Sequence, residues 1–138
     1  MNILLPLPPQ MIDHIRLGRT KQVYISDFKK PYKYLKKCPD KIYVFFYSID
    51  PINKLVGYTG ISKLVATRPN EAWKYSSNYS GMTEEEFFNK FGECTNVYVL
   101  YLEEYIEFEQ NIMVEKIYPK FTEPKNYIFL DILDTCKI

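Results

Sequence analysis

One hydrophobic segment constrains the fold of this chain more than any other feature. Ile42 to Ile49 is almost entirely β-branched and aromatic, which is typical of a buried strand. Residues 50–54, Asp-Pro-Ile-Asn-Lys, have the composition of a turn, and Leu55 to Leu64 has the pattern of a second strand. The sequence therefore predicts a hairpin. No apolar run reaches the roughly twenty residues that cross a bilayer, so we expect no contact with a membrane.

Local signals on either side of this hairpin predict further helices and strands. Helices are expected over Gln10 to Leu17, Arg68 to Lys74, and from the capping box of Thr83 and Glu86 to Gly92. Strands are expected over Gln22 to Ser26, at a sheet edge, over Val97 to Phe108 as one long or bent strand, and over Tyr127 to Leu130. Met113 to Ile117 has the pattern of a helical turn, and the residues between Ser26 and Asp40 that of a loop. This order of elements predicts one α+β domain over residues 1–138.

Composition excludes several classes of protein. Apolar residues make up 46% of the chain and aromatic residues 17%, which excludes disorder. The three cysteines, Cys38, Cys94 and Cys136, have the spacing of neither a disulfide framework nor a zinc site, and His14 is the one histidine. We therefore expect no metal and no cofactor, and a structural or solvent-exposed role for His14. The N-terminus lacks the pattern of a signal peptide, which predicts a cytoplasmic protein. The many Tyr, Lys, Ile and Asn residues are typical of AT-rich genomes, including viral ones.

The net charge of +1 conceals two segments of opposite sign. Residues 1–41 carry nine Lys or Arg against three Asp, whereas residues 84–115 carry nine Glu against Lys90. The acidic segment is interpreted as a solvated helix face and a polar strand face. The basic segment contains the run Phe28 to Lys37, in which lysines alternate with aromatic rings. Such a run can hold phosphates and stack on unpaired bases, although a solvated loop explains it equally well.

Several motifs occur in an order that resembles a known family. They are Gly18-Arg19-Thr20-Lys21-Gln22-Val23-Tyr24, Tyr43 to Ser48 followed by Leu55 to Tyr58, Pro69 to Trp73, Gly81 to Phe88, and Phe121 to Leu130. Together they resemble the ASCH family, the activating-signal-cointegrator homology domains of the PUA-like superfamily. The resemblance covers almost the whole chain. It implies a PUA-like β-pseudobarrel with short flanking helices, a cleft between the sheet and the first helix lined by the segment after Gly18, and RNA or another nucleic acid as ligand.

The resulting hypothesis is a non-enzymatic module that binds RNA or another single-stranded nucleic acid in a basic, tyrosine-rich cleft. The candidate binding residues are Arg19, Lys21, Tyr24, Ser26, Lys29, Lys30, Tyr32, Tyr34, Lys36, Lys37, Tyr47, Ser48 and Lys54. Lysines would hold phosphates, and tyrosine rings would stack on bases. The alternative is a protein-interaction or regulatory module on the same fold, in which the two charged segments contact a protein partner or a second copy.

The resemblance also raises two enzymatic alternatives. One bacterial ASCH subgroup removes the acetyl group of N4-acetylcytidine with a Lys, a Thr and a Glu, and these roles fall here on Thr20, Val23 and Ser80. None of the three residue types matches, and valine cannot carry a proton or attack a carbonyl. Other relatives are reported as ribonucleases, for which Lys21, Tyr24, Ser26 and Tyr47 are candidates. No paired histidine or clear general base accompanies them.

Overall fold

The computed structural model describes residues 1–130; Cys136 and the last eight residues of the predicted domain lie outside this range. The described chain contains seven strands and four helices. The strands are β1 (Asn2–Leu7), β2 (Gln22–Ile25), β3 (Tyr43–Ser48), β4 (Lys54–Thr67), β5 (Val97–Leu102), β6 (Ile106–Ile112) and β7 (Ile128–Phe129). The helices are α1 (Pro9–Arg16), α2 (Lys29–Lys37), α3 (Pro69–Ser76) and α4 (Glu84–Phe91).

The strands form one mixed sheet, which confirms the α+β prediction. The predicted hairpin is present, since β3 and β4 pair antiparallel, and β1 lies parallel to β3 on its other side. The long strand β4 pairs with β6 along its first half and with β5 along its second half. The resulting order is β2-β5-β4-β3-β1-β7, which leaves β2 at a sheet edge as predicted.

The two ends of this sheet are joined by side chains instead of by a strand ladder. The ring of Phe28, which follows β2, packs against Tyr98 of β5. It also packs against Tyr127, which directly precedes β7, and against Phe129 in β7. The hydroxyl of Tyr127 donates to the carbonyl oxygen of Asp27 at 2.8 Å. This closure around a common apolar core is the arrangement of a pseudobarrel.

The core has an inner part and two outer parts. The inner cluster combines side chains of β1 to β5 with Ile12 and Ile15 of α1. Both outer parts lie on the face of the sheet that points away from the inner cluster. Over β2 and β5, Tyr24 of β2 packs with Phe87 and Phe91 of α4. Over β1, β3 and the first half of β4, strand residues pack against the segment from residue 114 to residue 130. The helices α3 and α4 therefore lie over the β2-β5 end of the sheet.

Most local predictions for helices are confirmed. Thr83 accepts a hydrogen bond from the backbone N–H of Glu86 while the Glu86 carboxylate accepts one from the N–H of Thr83, so the predicted capping box is present. Gly18 closes α1 at a φ of 74°, a backbone conformation that glycine adopts without strain. Residues 114–116 form a single 3-10 turn within the segment predicted to be helical. No helix within residues 1–130 combines the length and the apolar composition that a membrane span requires.

Two predictions about secondary structure are wrong. The basic run was expected to be a loop, but Lys29–Lys37 forms α2. It is helical because Phe28, Tyr32 and Leu35 recur at helical spacing and pack on the inner core, which holds the helix against the mutual repulsion of its lysines. Val97 to Phe108 is two strands, since residues 103–105 interrupt the run and β6 turns back to pair with the first half of β4.

Candidate functional site

A cleft of about 470 Å³ lies between β1, α1, β2 and α4. Its walls are largely apolar and include Leu7, Met11, Val23 and Phe91. Gly81 lines the cleft at a φ of 68°, and a Cβ atom there would collide with the hydroxyl oxygen of Thr20. The chain thus has a concave, largely apolar surface of the kind that small-molecule ligands commonly occupy.

Three ionisable side chains line this cleft from two helices. His14 comes from α1, and Glu86 and Lys90 come from α4, where their spacing of four residues puts them on one face. Hydrogen bonds from Thr83 lower the pKa of the Glu86 carboxyl, and desolvation lowers the pKa of Lys90. Glu86 and Lys90 were missed by sequence reasoning, because only the packing of α4 against β2 brings them beside α1.

Tyr24 and Tyr47, two of the rings predicted to stack on bases, are buried. Tyr24 lines the cleft, but its ring packs against Phe87 and its hydroxyl shares a 2.7 Å hydrogen bond with Ser76 Oγ; burial raises its pKa. The ring of Tyr47 packs against Phe121 in the separate outer cluster over β1, β3 and β4, and Ser48 beside it is 1% exposed. Neither ring presents a free face for stacking, because each side chain points from its strand into a packed cluster.

The ribonuclease candidates do not form a common site, and the residues at the acetylcytidine positions present no reactive side chain to the cleft. Tyr24 and Tyr47 belong to different core clusters, while the backbone oxygen of Ser26 accepts a hydrogen bond from Asn126. Thr20 and Ser80 are buried, and Val23 supplies only an apolar wall to the cleft. Within residues 1–130, no group of three or more His, Cys, Asp or Glu side chains is arranged to hold a metal ion.

The basic residues predicted to line the cleft lie mainly on α2. Its five lysines, at positions 29, 30, 33, 36 and 37, are all exposed, and none of them lines the cleft. No acid occurs in the helix, and none of the five forms an ion pair with another residue in the described part of the chain. The prediction of a single basic, tyrosine-rich cleft is therefore wrong. The lysines form a convex helical surface separate from the cleft, because the apolar side of α2 packs on the inner core.

Two tyrosines lie among these lysines. Tyr34 is 58% exposed, whereas Tyr32 is half-buried against the ring of Tyr98. The ammonium of Lys36 lies 4.8 Å from the centre of the Tyr32 ring, within the range of a cation–π contact. We call the five lysines together with Tyr32 and Tyr34 the basic helix face.

The remaining predicted residues lie elsewhere. Arg19 is exposed in the turn after α1. Lys21 directly precedes β2, and its ammonium lies over the ring of Tyr79. Ser26 is half-buried at the end of β2. Lys54 is half-buried at the start of β4 and lines a groove along β6. The structure thus brings together the six candidates within α2 and separates them from the others.

Comparison with known proteins gives structural matches alone. No family model matches the sequence, and no curated protein matches it either. A serine-to-alanine mutant of an ASCH protein from Zymomonas mobilis has a TM-score of 0.79 at 15% identity, covering 99% of this chain and 92% of that chain. The unsubstituted protein has a TM-score of 0.75 at 14% identity over the same shares of the two chains.

A more distant match extends the same fold to another protein. The N-terminal domain of McrB from Staphylothermus marinus has a TM-score of 0.58 at 10% identity and covers 97% of this chain and 90% of that one. At these identities the matches establish the arrangement of strands and helices and leave side-chain chemistry open. The order of motifs in the sequence and the topology of the sheet agree with these matches, and the chain has the ASCH fold.

Proposed function

We propose that this chain is a non-enzymatic module that binds RNA or another single-stranded nucleic acid through the basic helix face. The observation that carries the proposal is the charge of α2: five exposed lysines, no acid, and no ion pair to any other residue between positions 1 and 130. The ASCH protein from Zymomonas mobilis and the McrB N-terminal domain share this architecture, which is compatible with such a module without specifying its ligand.

The basic helix face is electrostatically unfavourable in the absence of a polyanion. Lys29 and Lys33 are four residues apart, as are Lys33 and Lys37, and like charges at this spacing repel each other. Lys29 and Lys30 also lie in the first helical turn, where the helix dipole disfavours a cation. Phosphates bound along the face would offset both effects. A lysine-rich surface of this kind supplies affinity with little sequence preference, because phosphates are common to every sequence.

The exposed ring of Tyr34 supports a single-stranded ligand over a duplex. Unpaired bases can stack on an aromatic ring, whereas bases within a duplex are already stacked on one another. Tyr34 extends from the same helix that carries the lysines, so phosphates and one base can contact the face at the same time. Tyr32 contributes from below by holding Lys36 in place.

The test is binding of fluorescent oligouridine and oligothymidine, each about 12 nucleotides long, at about 50 mM and about 200 mM salt. The variant Lys29→Ala, Lys30→Ala, Lys37→Ala removes three charges from the basic helix face. The matched control Lys116→Ala, Lys120→Ala, Lys125→Ala removes three exposed charges near the other end of the described chain. We expect the first variant to weaken binding at low salt and to reduce the salt slope by about 2, at roughly 0.7 per lost phosphate contact.

Two outcomes contradict the proposal. One is the absence of binding to either oligonucleotide at low salt. The other is an equal loss of affinity in the two triple variants, which would show a general effect of net charge instead of a defined surface. A preparation free of nucleic acid that instead captures one defined protein through the same lysines would support the protein-interaction alternative.

A further inference from the structure

Three lysine–tyrosine pairs lie outside the basic helix face. The ammonium of Lys21 is 4.9 Å from the ring centre of Tyr79, that of Lys63 is 5.3 Å from Tyr101, and that of Lys74 is 5.4 Å from Tyr75. These distances are in the range of cation–π contacts. The six residues come from the start of β2, from β4, from β5, and from α3 with the turn that follows it. We call them the Lys–Tyr face.

Sheet register and hydrogen bonds bring these pairs together. Tyr101 of β5 lies between Gln22 of β2 and Lys63 of β4 in the strand register, so adjacent strands place them about 5 Å apart. The backbone N–H of Lys21 donates to the carbonyl oxygen of Tyr79 at 2.8 Å. With its amide nitrogen turned toward them, Gln22 donates to the carbonyl oxygens of Ser76 and Tyr79 at 3.2 and 3.3 Å. The end of α3 is thereby fixed beside the start of β2.

Two rings of the Lys–Tyr face are unusually exposed. Tyr75 is 72% exposed and Tyr79 is 48% exposed, and they are four residues apart along consecutive helical turns. Trp73 and Phe88, by comparison, pack with Phe87 in the outer core. Exposed rings lose the free energy that burial of their apolar surface would supply, and a pair of them beside cations is a typical platform for stacking bases.

The charge of the Lys–Tyr face is positive. Lys21, Lys63 and Lys74 are exposed, and none of them is in an ion pair with any residue that the structure describes. The nearest acids are Glu71 on α3 and Glu103 and Glu104 after β5, and the last two line a depression together with Lys21. Glu103 already accepts a 2.6 Å hydrogen bond from Lys41, which offsets its charge.

From these observations we infer that the Lys–Tyr face is a base-stacking site for single-stranded nucleic acid. This inference rests on the proposed function, because it assigns a second contact region to the nucleic-acid strand that the basic helix face binds. The ammonium groups would contact phosphates, and the exposed sides of Tyr75 and Tyr79 would stack on successive unpaired bases. Stacking accepts every base, so the site adds affinity and positions the strand without reading its sequence.

A small groove lies between the two regions. Leu35 of α2, Asp40, Lys41 and Lys63 line this depression of about 180 Å³ at the end of α2, and the N-terminal ammonium offsets the charge of Asp40 at 2.9 Å. Lys63 therefore belongs to the Lys–Tyr face and also borders the helix that carries the other lysines. A bound nucleic-acid strand that leaves α2 at the C-terminal end of the helix would next contact Lys63, and then Tyr101, Tyr79 and Tyr75. The path runs over the β4-β5-β2 part of the sheet and does not enter the cleft.

The first test is photochemical crosslinking of the full chain to an oligouridine of about 12 nucleotides in which 5-iodouridine replaces single uridines in turn. Iodinated uracil forms adducts preferentially with a tyrosine on which it is stacked. Mass spectrometry of the digested adduct identifies the ring. We expect adducts at Tyr75 or Tyr79, together with adducts at Tyr34. Adducts confined to Tyr34 would overturn this inference and leave the proposed function standing.

The second test compares two double variants of the same residues. Tyr75→Ala with Tyr79→Ala removes both rings, whereas Tyr75→Phe with Tyr79→Phe keeps them; both side chains are exposed, so neither change opens the core. We expect the alanine variant to weaken binding of the same oligouridine by roughly 5-fold or more, with an unchanged salt slope, and the phenylalanine variant to retain it. Equal affinity of the alanine variant and the unchanged chain would refute the Lys–Tyr face. No binding by the unchanged chain would refute both proposals together.

Discussion

The basic helix face and the Lys–Tyr face have similar chemistry but different construction. Both place a lysine ammonium about 5 Å from a tyrosine ring, at 4.8 Å for Lys36 over Tyr32 and 4.9 Å for Lys21 over Tyr79. The basic helix face lies within nine consecutive residues, whereas the Lys–Tyr face draws on four separate segments. A surface of the first kind is visible in a sequence, and one of the second kind appears only when the strands are in register.

The two regions are also held in place differently. The helix α2 has no buried residue of its own and depends on Phe28, Tyr32 and Leu35 for its attachment to the core. The Lys–Tyr face rests on strands β4, β5 and β2, which pair along most of their lengths, and on α3. Few buried contacts allow local opening at low cost, so we expect α2 to be the more easily detached of the two.

The largest predicted effect breaks this attachment. Phe28→Ala removes a fully buried ring that packs on Tyr98, Tyr127 and Phe129, so we expect a loss of about 3–5 kcal/mol in the free energy of unfolding. Urea denaturation measures it. Leu17→Ala, at an exposed position, is the control and should change stability by less than about 0.5 kcal/mol. A small loss at Phe28 would show that α2 is not attached through this ring.

If the Phe28→Ala variant is less stable but still folded, it also distinguishes α2 from the Lys–Tyr face. Hydrogen exchange should be faster in α2 than in the unchanged chain, because the aromatic contact that precedes the helix is lost. Exchange in the second half of β4, which also supports the Lys–Tyr face, should change less. Faster exchange of equal size in both regions would contradict the difference in construction described above.

The contrast explains what could be predicted from the sequence. The helix α4 and the β3–β4 hairpin depend on signals within a few residues, namely a capping box and a turn between two apolar runs. The ASCH fold followed from the order of several such segments. Elements whose information is local were found, and the family likeness supplied the arrangement.

The failures have physical causes. In α2, lysines and a proline suggested a loop, although Phe28, Tyr32 and Leu35 already showed helical spacing. The break between β5 and β6 depends on pairing with a distant strand, which periodicity does not reveal. Tyr24 and Tyr47 were candidates because of their residue type, and only the side of the strand on which each lies determined that they are buried.

A smaller effect is predicted where the Lys–Tyr face joins the outer core. The Tyr24 hydroxyl shares a 2.7 Å hydrogen bond with Ser76 Oγ, which links β2 to the end of α3 next to Tyr75. Tyr24→Phe should lower the free energy of unfolding by about 1 kcal/mol, because Ser76 Oγ keeps its bond to the carbonyl oxygen of Ala72. Tyr34→Phe, at an exposed ring on α2, is the matched control in urea denaturation and should leave stability unchanged.

Crosslinking of the Tyr24→Phe variant sharpens the comparison further. Loss of the bond frees the end of α3, so adducts at Tyr75 should decrease while adducts at Tyr34 remain. An unchanged ratio of the two adducts would indicate that the strand pairing of β2, and not this hydrogen bond, positions the rings.

The smallest predicted effect is a pH dependence on the α2 side. Burial is the main cause that raises the pKa of Tyr127 to about 12, and the charge of Asp27 is the second. The Tyr127 hydroxyl donates a hydrogen bond to the backbone carbonyl oxygen of Asp27, just before α2. A phenol in an unfolded chain titrates near pH 10, so the folded state favours the neutral form. The resulting stabilisation is fully present below about pH 10 and is lost as the pH rises through about 12.

Tyr127→Phe removes the titrating group and isolates its contribution. The difference in urea midpoint between the unchanged chain and this variant should be constant up to about pH 10 and should shrink above it, because only the unchanged chain then loses a hydrogen bond. Tyr24→Phe provides the comparison on the Lys–Tyr face, where burial also raises a tyrosine pKa. If alkaline pH loosens α2 first, hydrogen exchange in α2 should accelerate before exchange in β2, and a simultaneous acceleration would show that both regions open as one unit.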